Sequence, residues 1–225
     1  MFYIRTFFFS IQSIFVAIFT LLLFPFNYKG KPVNVLMKLW CIMTLLIYGV
    51  KVSVSGAENI KNDKGKVYVS NHASYLDIFV LLAKIPDNVR IIYKKELNRM
   101  PLIGWAMMAA GFVSIDRSNV RSSLHSLAQA AKKIRNGLSL VIFPEGTRSY
   151  DGSIGEFKRG MFVLAEKAEA QIIPVTIKNT FNLMPRTGFK VKPGKVELII
   201  HKPLQFNKDK SFINEIREII KKGEL

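Results

Sequence analysis

The chain has a single cysteine, Cys41, among its 225 residues. That excludes an intramolecular disulfide and any cysteine-rich zinc site. Acid is scarce as well: 16 Asp and Glu stand against 33 Lys and Arg, a formal net charge of +17. From Met1 to Val50 there is no acidic residue at all, and the cations there are only Arg5, Lys29, Lys31 and Lys38. No Gly-x-Ser-x-Gly turn occurs, which removes the elbow that an α/β serine hydrolase needs. No internal repeat, low-complexity tract or long linker divides the chain.

What is present is apolar and basic. Hydrophobic residues make up 49%, with 17 Phe, which is too apolar for disorder. The length suffices for one full core. The positive excess calls for an anionic partner: nucleic acid, a membrane surface or a phosphorylated substrate.

Phe7 to Phe26 is uncharged, and about 20 apolar residues are what a helix needs to cross a bilayer. Leu39 to Val50 is a second, shorter apolar run. No small-residue cleavage site follows the first run, against a signal peptide. It has no polar face either, against a buried helix of a soluble domain. Two full crossings would leave Lys29 and Lys31 outside, against the positive-inside tendency. The expectation is a single crossing, or a pair of helices dipping into one leaflet, with the basic body on the cytoplasmic side of the cell inner or cytoplasmic membrane. Residues 1–50 read as a membrane-associated helical region and residues 51–225 as an α/β domain.

Beyond Val50 the periodicity alternates. Strands are predicted at Lys51–Ser55, Val67–Ser70, Val89–Tyr93, Phe112–Ile115, Leu138–Phe143, Gln171–Ile177 and Val196–His201. Helices are predicted at Tyr75–Lys84 with Ser74 as N-cap, at Val120–Asn136 stopped by Gly137, at Phe157–Ala168 and from Phe212 onward. This pattern means a mixed, largely parallel sheet flanked by helices. Pro174, inside an apolar strand, points to an edge or a bulge.

The chemistry concentrates in short blocks. In Asn71-His72-Ala73-Ser74-Tyr75-Leu76-Asp77 a strand ends and a helix begins. On one ideal helix, side chains five apart point about 140° from each other. His72 and Asp77 therefore meet only if His72 lies in the loop before the helix. Asp77 can then hold one ring nitrogen and leave the other to take a proton. Ser74 and Asp77 also have capping-box spacing, so a purely structural role for Asp77 stays open. Phe143-Pro144-Glu145-Gly146-Thr147-Arg148-Ser149 follows another strand. Gly146 admits close backbone approach, Arg148 offers a planar fork for phosphate oxygens, and Glu145 can accept from a hydroxyl. A surface turn closed by an ion pair reads equally well. Gly111 to Ser118 ends a third strand at Arg117, and Lys94-Lys95-Glu96-Leu97 and Phe157-Lys158-Arg159-Gly160 place further cations after strands. Ligands of open α/β sheets collect at the strands' carboxyl ends, so cations recurring there outline a phosphate pocket.

These blocks, with Ile172 to Val175, in this order resemble the glycerolipid acyltransferase family, in particular its bacterial 1-acyl-glycerol-3-phosphate acyltransferases. The resemblance spans residues 71 to 175. It implies His72 as general base and Asp77 as its orienter. It also implies Arg117 and Arg148 on the acceptor's phosphate with Lys94 beside them, Glu145, Gly146 and Thr147 around the glycerol part, and Pro174 on the acyl-donor side. The implied reaction moves a fatty acyl group from a thioester donor, acyl-CoA or acyl carrier protein, to the sn-2 hydroxyl of lysophosphatidic acid, giving phosphatidic acid. No acyl-enzyme, cofactor or metal is implied. Another lysophospholipid or glycerol 3-phosphate is the alternative acceptor. A non-enzymatic module binding anionic membrane or nucleic acid is disfavoured by the apolar head and the absence of a nucleic-acid motif.

Overall fold

The structure is a computed structural model that describes residues 1–225 except 27–29, 62–64, 117–118, 189, 210 and 225. Two helices, α1 (Phe2–Leu23) and α2 (Lys31–Tyr48), precede the sheet. Then follow β1 (Val50–Ser55), β2 (Val67–Ser70), α3 (Leu76–Lys84), β3 (Val89–Lys94), α4 (Ile103–Ala109), β4 (Val113–Ile115) and α5 (Val120–Arg135). The chain closes with β5 (Ser139–Ile142), α6 (Gly160–Ala168), β6 (Ile172–Lys178), the short α7 (Thr180–Leu183), β7 (Gly194–Ile200) and α8 (Phe212–Glu224). The seven strands lie in the order β1-β7-β6-β2-β5-β3-β4. Every pairing is parallel except β6 with β7. The expected α/β sheet, mixed and largely parallel, is thus the fold.

Two apolar layers cover the sheet, one on each face. Alternation along β2 sends Tyr68 to one side and Val67 and Val69 to the other. The Tyr68 side packs on α3 and on α2, whose Val33, Met37, Cys41 and Leu45 recur every fourth residue. The Val67 side packs on α5, α6 and α8. In α5 the buried stripe is Leu127, Ala130, Ala131 and Ile134, while Leu124, at helical spacing from Leu127 and Ala131, is exposed.

Pro174 does not mark an edge. Its strand β6 is interior, between β7 and β2. The Pro174 carbonyl accepts from the His201 amide, so its nitrogen also faces β7. The regular antiparallel pairing runs to Val175 with Ile200. It is interrupted at Pro174, which has no N–H to return the bond from His201, and resumes at Ile172 with Leu204, so that Lys202 and Pro203 stand opposite Ile173 alone: the proline marks a bulge-like irregularity inside the sheet.

α1 and α2 form an antiparallel hairpin. Gln12 Nε2 donates to Thr44 Oγ1 at 2.7 Å and Trp40 Nε1 to Ser13 Oγ at 3.1 Å, so their polar groups face each other. Outward, α1 presents Phe7, Phe8, Phe15, Phe19 and Leu22 as exposed side chains. The far face of α2 presents Val35, Leu39, Met43 and Leu46. Both helices are long and apolar enough to cross a membrane. The hairpin is tied to the sheet by Arg90 of β3, one of the largest fully buried side chains. Its guanidinium donates to the Gly30 carbonyl at 2.8 Å, to Asn34 Oδ1 at 3.0 Å and to the Ala110 carbonyl at the end of α4 at 2.5 Å. Desolvation lowers its pKa to about 10.

Candidate active site

The carboxyl ends of β2, β5 and β6 point the same way, because all three are parallel. The loop after β2 carries His72, the loop after β5 carries Glu145, and Thr180 follows β6. Helix α3 starts at Leu76, so His72 lies before it and Asp77 in its first turn, the arrangement that contact requires. His72 Nδ1 is 2.8 Å from Asp77 Oδ2. That oxygen also accepts from the backbone N–H groups of Ala73 and Ser74, both at 2.8 Å. Asp77 Oδ1 accepts from Thr180 Oγ1 at 2.6 Å. The carboxylate is fully buried and has a donor at each oxygen, as a buried charge requires. It holds the imidazole and the start of the helix at once, so both roles foreseen for it occupy one oxygen. An ionised carboxylate only accepts, so Nδ1 carries the proton and Nε2 is the acceptor nitrogen of the neutral ring. The ring stacks on Phe143, with centroids 3.9 Å apart.

Glu145 joins the two loops. Its Oε1 accepts from the His72 amide at 2.8 Å and its Oε2 from the Gly155 amide at 3.0 Å. Burial raises its pKa, outweighing the two N–H donors that pull it down. A raised folded-state value means that this group's contribution to stability is fully present below the unfolded value of 4.5 and is lost as pH rises through the folded one. The melting temperature of the wild type is therefore expected to fall relative to that of Glu145→Gln as pH rises through that window. Calorimetry of the two proteins across pH measures it; an offset independent of pH would show that Glu145 ionises as an ordinary glutamate.

Gly146 sits at φ +74°, a region that disfavours any side chain. A Cβ there would lie 3.2 Å from Lys158 Nζ, so the Phe157–Gly160 block folds back over this turn. The Arg148 guanidinium lies 3.6 Å above the centroid of the Tyr75 ring, and its Nη1 donates to the Arg186 carbonyl at 3.3 Å. Arg186 returns the contact: its Nη1 donates to Thr147 Oγ1 at 2.8 Å and to the Arg148 carbonyl at 2.5 Å, while its guanidinium lies 3.8 Å above the Tyr150 ring.

The loops thus bring together His72, Asp77 and Glu145, and continue into Gly146, Thr147 and Arg148. Lys94 lies at the end of β3, exposed and paired with Glu96 at 3.2 Å. No described contact links it to the His72 loop. Arg117 falls outside the described residues. No group of three or more His, Cys, Asp or Glu among the described residues could hold a metal ion.

An acyltransferase family model matches residues 51–178. The chain belongs to the acyltransferase family. A chloroplastic 1-acyl-sn-glycerol-3-phosphate acyltransferase of Arabidopsis thaliana is 38% identical over 205 residues, 90% of this chain and 56% of its own length. The 1-acyl-sn-glycerol-3-phosphate acyltransferase of Borreliella burgdorferi is 33% identical over 143 residues, 63% of this chain and 57% of its own. The chain spans a little over half the length of these curated relatives. A solved structure, the 1-acyl-sn-glycerophosphate acyltransferase PlsC of Thermotoga maritima, shares the fold over 99% of this chain and 96% of its own, with a TM-score of 0.82 at 28% identity.

Sequence reasoning missed two supports of this site, Thr180 and Arg186, and both lie beyond the matched stretch. Thr180 is 103 positions from Asp77, and a lone Thr after a strand carries no signal. Arg186 stands in Pro185-Arg186-Thr187-Gly188, which reads as a turn. Phe143 lay inside a recognised block, but its stacking on His72 needed the fold.

Proposed function

We propose that the chain transfers a fatty acyl group from a thioester donor, acyl-CoA or acyl carrier protein, to the sn-2 hydroxyl of 1-acyl-glycerol 3-phosphate, giving phosphatidic acid. The observation that carries this reading is the His72–Asp77 contact at 2.8 Å, with the accepting nitrogen left on the strands' carboxyl edge. His72 Nε2 takes the hydroxyl proton as the oxygen attacks the thioester carbonyl. Asp77 keeps the ring in its working tautomer and balances the imidazolium that forms. As the ester bond forms the carbon–sulfur bond breaks, and the imidazolium returns its proton to the departing thiolate, which leaves as the thiol with His72 neutral again. The thioester is already activated and the only cysteine is buried in α2, so no acyl-enzyme is required. Arg148, together with Arg117 and Lys94, is assigned to the phosphate of the acceptor, Glu145, Gly146 and Thr147 to its glycerol part, and Pro174 to the donor side.

The acceptor and its product are bilayer lipids. The exposed apolar faces of the α1–α2 hairpin seat the chain in a membrane, and the basic surface adds attraction to anionic headgroups. One face of α2 belongs to the core of the sheet, which favours a hairpin held in one leaflet, its catalytic edge facing the cytoplasm.

The test is purified protein with lysophosphatidic acid and each donor in turn, and with glycerol 3-phosphate and other lysophospholipids as rival acceptors. Phosphatidic acid formed fastest from lysophosphatidic acid supports the reading. Faster turnover of a rival acceptor, or no transfer from either donor, overturns it. Within the same assay, Arg186→Ala is expected to raise the acceptor KM about tenfold, because Thr147 and the Arg148 backbone lose charge-assisted bonds worth roughly 1.5–3 kcal/mol each. Arg148→Lys is expected to do similar damage, since an ammonium cannot present a parallel fork. A rise confined to the donor KM would move both arginines to the carrier's site.

A further inference from the structure

Helix α4 and the turn before it expose more apolar surface than the sheet's core explains. Met100 is 43% exposed, Ile103 45%, Trp105 54% and Met108 47%. Trp105 and Met108, three apart, share one helix face. The presentation is built into the backbone. Leu102 is held at φ +64°, ψ −58°, with the Ile103 amide donating to the Pro101 carbonyl at 2.7 Å, a γ-turn of the rare positive-φ kind. A Cβ on Gly104 would lie 2.5 Å from the Leu97 carbonyl oxygen, so only glycine lets the helix seat this close to the turn. Strain and close approach are spent on fixing a helix of seven residues whose outer face is greasy.

Its position says what covers that face. The segment leaves the carboxyl end of β3, the edge that carries His72 and Glu145. α4 packs against α1, whose own outer face is exposed Phe and Leu. From the last residue of β3 to α4, Lys94, Lys95 and Arg99 border the segment; Lys94 pairs with Glu96 and Lys95 with Asp116. Apolar side chains that include a Trp, continuous with a membrane-seeking helix and bordered by cations, match the headgroup boundary of an anionic bilayer.

We infer that Met100–Met108 is a second membrane-embedding surface, separate from the hairpin, which seats the catalytic edge in the headgroup layer where the acceptor lies. This rests on the reading of the acceptor as a bilayer lipid.

The chain has two tryptophans, Trp40 in α2 and Trp105 in α4. In the full chain carrying Trp40→Phe, Trp105 is the sole indole. The probe is vesicles of phosphatidylcholine and phosphatidylglycerol with brominated or unbrominated acyl chains. The expected result is co-sedimentation, a blue shift of Trp105 emission and loss of its intensity with brominated chains. Co-sedimentation with unchanged Trp105 emission would leave α4 in water and overturn the inference, while the membrane role of the hairpin stood. Absence of co-sedimentation would overturn both. A blue shift that tracks protein concentration without lipid would assign the face to a second copy of the chain, and the inference would fall. Should Trp40→Phe not fold, Trp105→Phe beside the wild type gives the same readout by difference. As a second arm, Met108→Glu is expected to raise the KM for vesicle-borne acceptor about tenfold, with turnover of a short-chain, water-soluble acceptor unchanged. Equal KM values for wild type and variant on vesicles would count against the bilayer contact.

Discussion

His72→Ala is expected to abolish measurable transfer while leaving the melting temperature close to that of the wild type. Removing a general base costs about 10² to 10⁴ in rate. The fold is spared because Asp77 keeps three of its four donors: the Ala73 and Ser74 amides and the Thr180 hydroxyl. What is lost beyond the base is the stacking on Phe143, worth about 0.5–1.5 kcal/mol beyond area burial. Initial rates at saturating donor, beside a thermal melt, make the measurement. A variant retaining more than a tenth of the wild-type rate would remove His72 from the proton transfer.

Asp77→Asn separates charge from scaffold. Asparagine can place its oxygen where Oδ2 lies, accepting from His72, Ala73 and Ser74 as before. Its amide then faces Thr180, whose hydroxyl can rotate to accept. All four contacts survive in kind, and only the negative charge opposite the nascent imidazolium disappears. The expected rate loss is on the order of 10² to 10⁴, with a loss of stability of roughly 1–2 kcal/mol as charge-assisted bonds become neutral ones. Asp77→Ala should differ in kind. It strands two backbone donors and a hydroxyl in a buried site, at about 1–3 kcal/mol each, so its defect is in folding as much as in rate. Near-normal turnover in Asp77→Asn, together with a lowered melting temperature, would reduce Asp77 to a helix cap.

Much of this was legible in the sequence, for reasons that differ between elements. The strands showed because short β-branched runs are bounded by Gly, Pro and Asn. The His72–Asp77 contact showed because a strand end and a helix start fixed the only geometry in which five residues bring them together. α4 did not show: it is seven residues long, contains Gly104 and follows Pro101, and its register is set by a strained turn that no propensity encodes. Arg90 carries no local signal that sets it apart in a basic chain, yet it is buried and donates to the carbonyls of Gly30 in the hairpin and of Ala110 after α4. Pro174 left edge and bulge open because a proline that interrupts pairing inside a sheet and one at its rim look alike in sequence. Thr180 and Arg186 act over distances of 103 and 38 positions, which no local window reaches.

The pairing of β1 also bears on how the chain is made. β1 bonds only to β7, and Ser53 meets the Val196 carbonyl across 143 positions. At roughly 5–20 residues per second, a nascent β1 waits on the order of ten seconds for its neighbour. For that interval β1 has an unpaired edge, beside a hairpin whose inner face also waits for α3. An open edge next to an apolar face is what drives aggregation. Early capture of the hairpin by lipid would keep that pair of surfaces out of solution until the last strand arrives, making the membrane a participant in folding before it becomes the place of work.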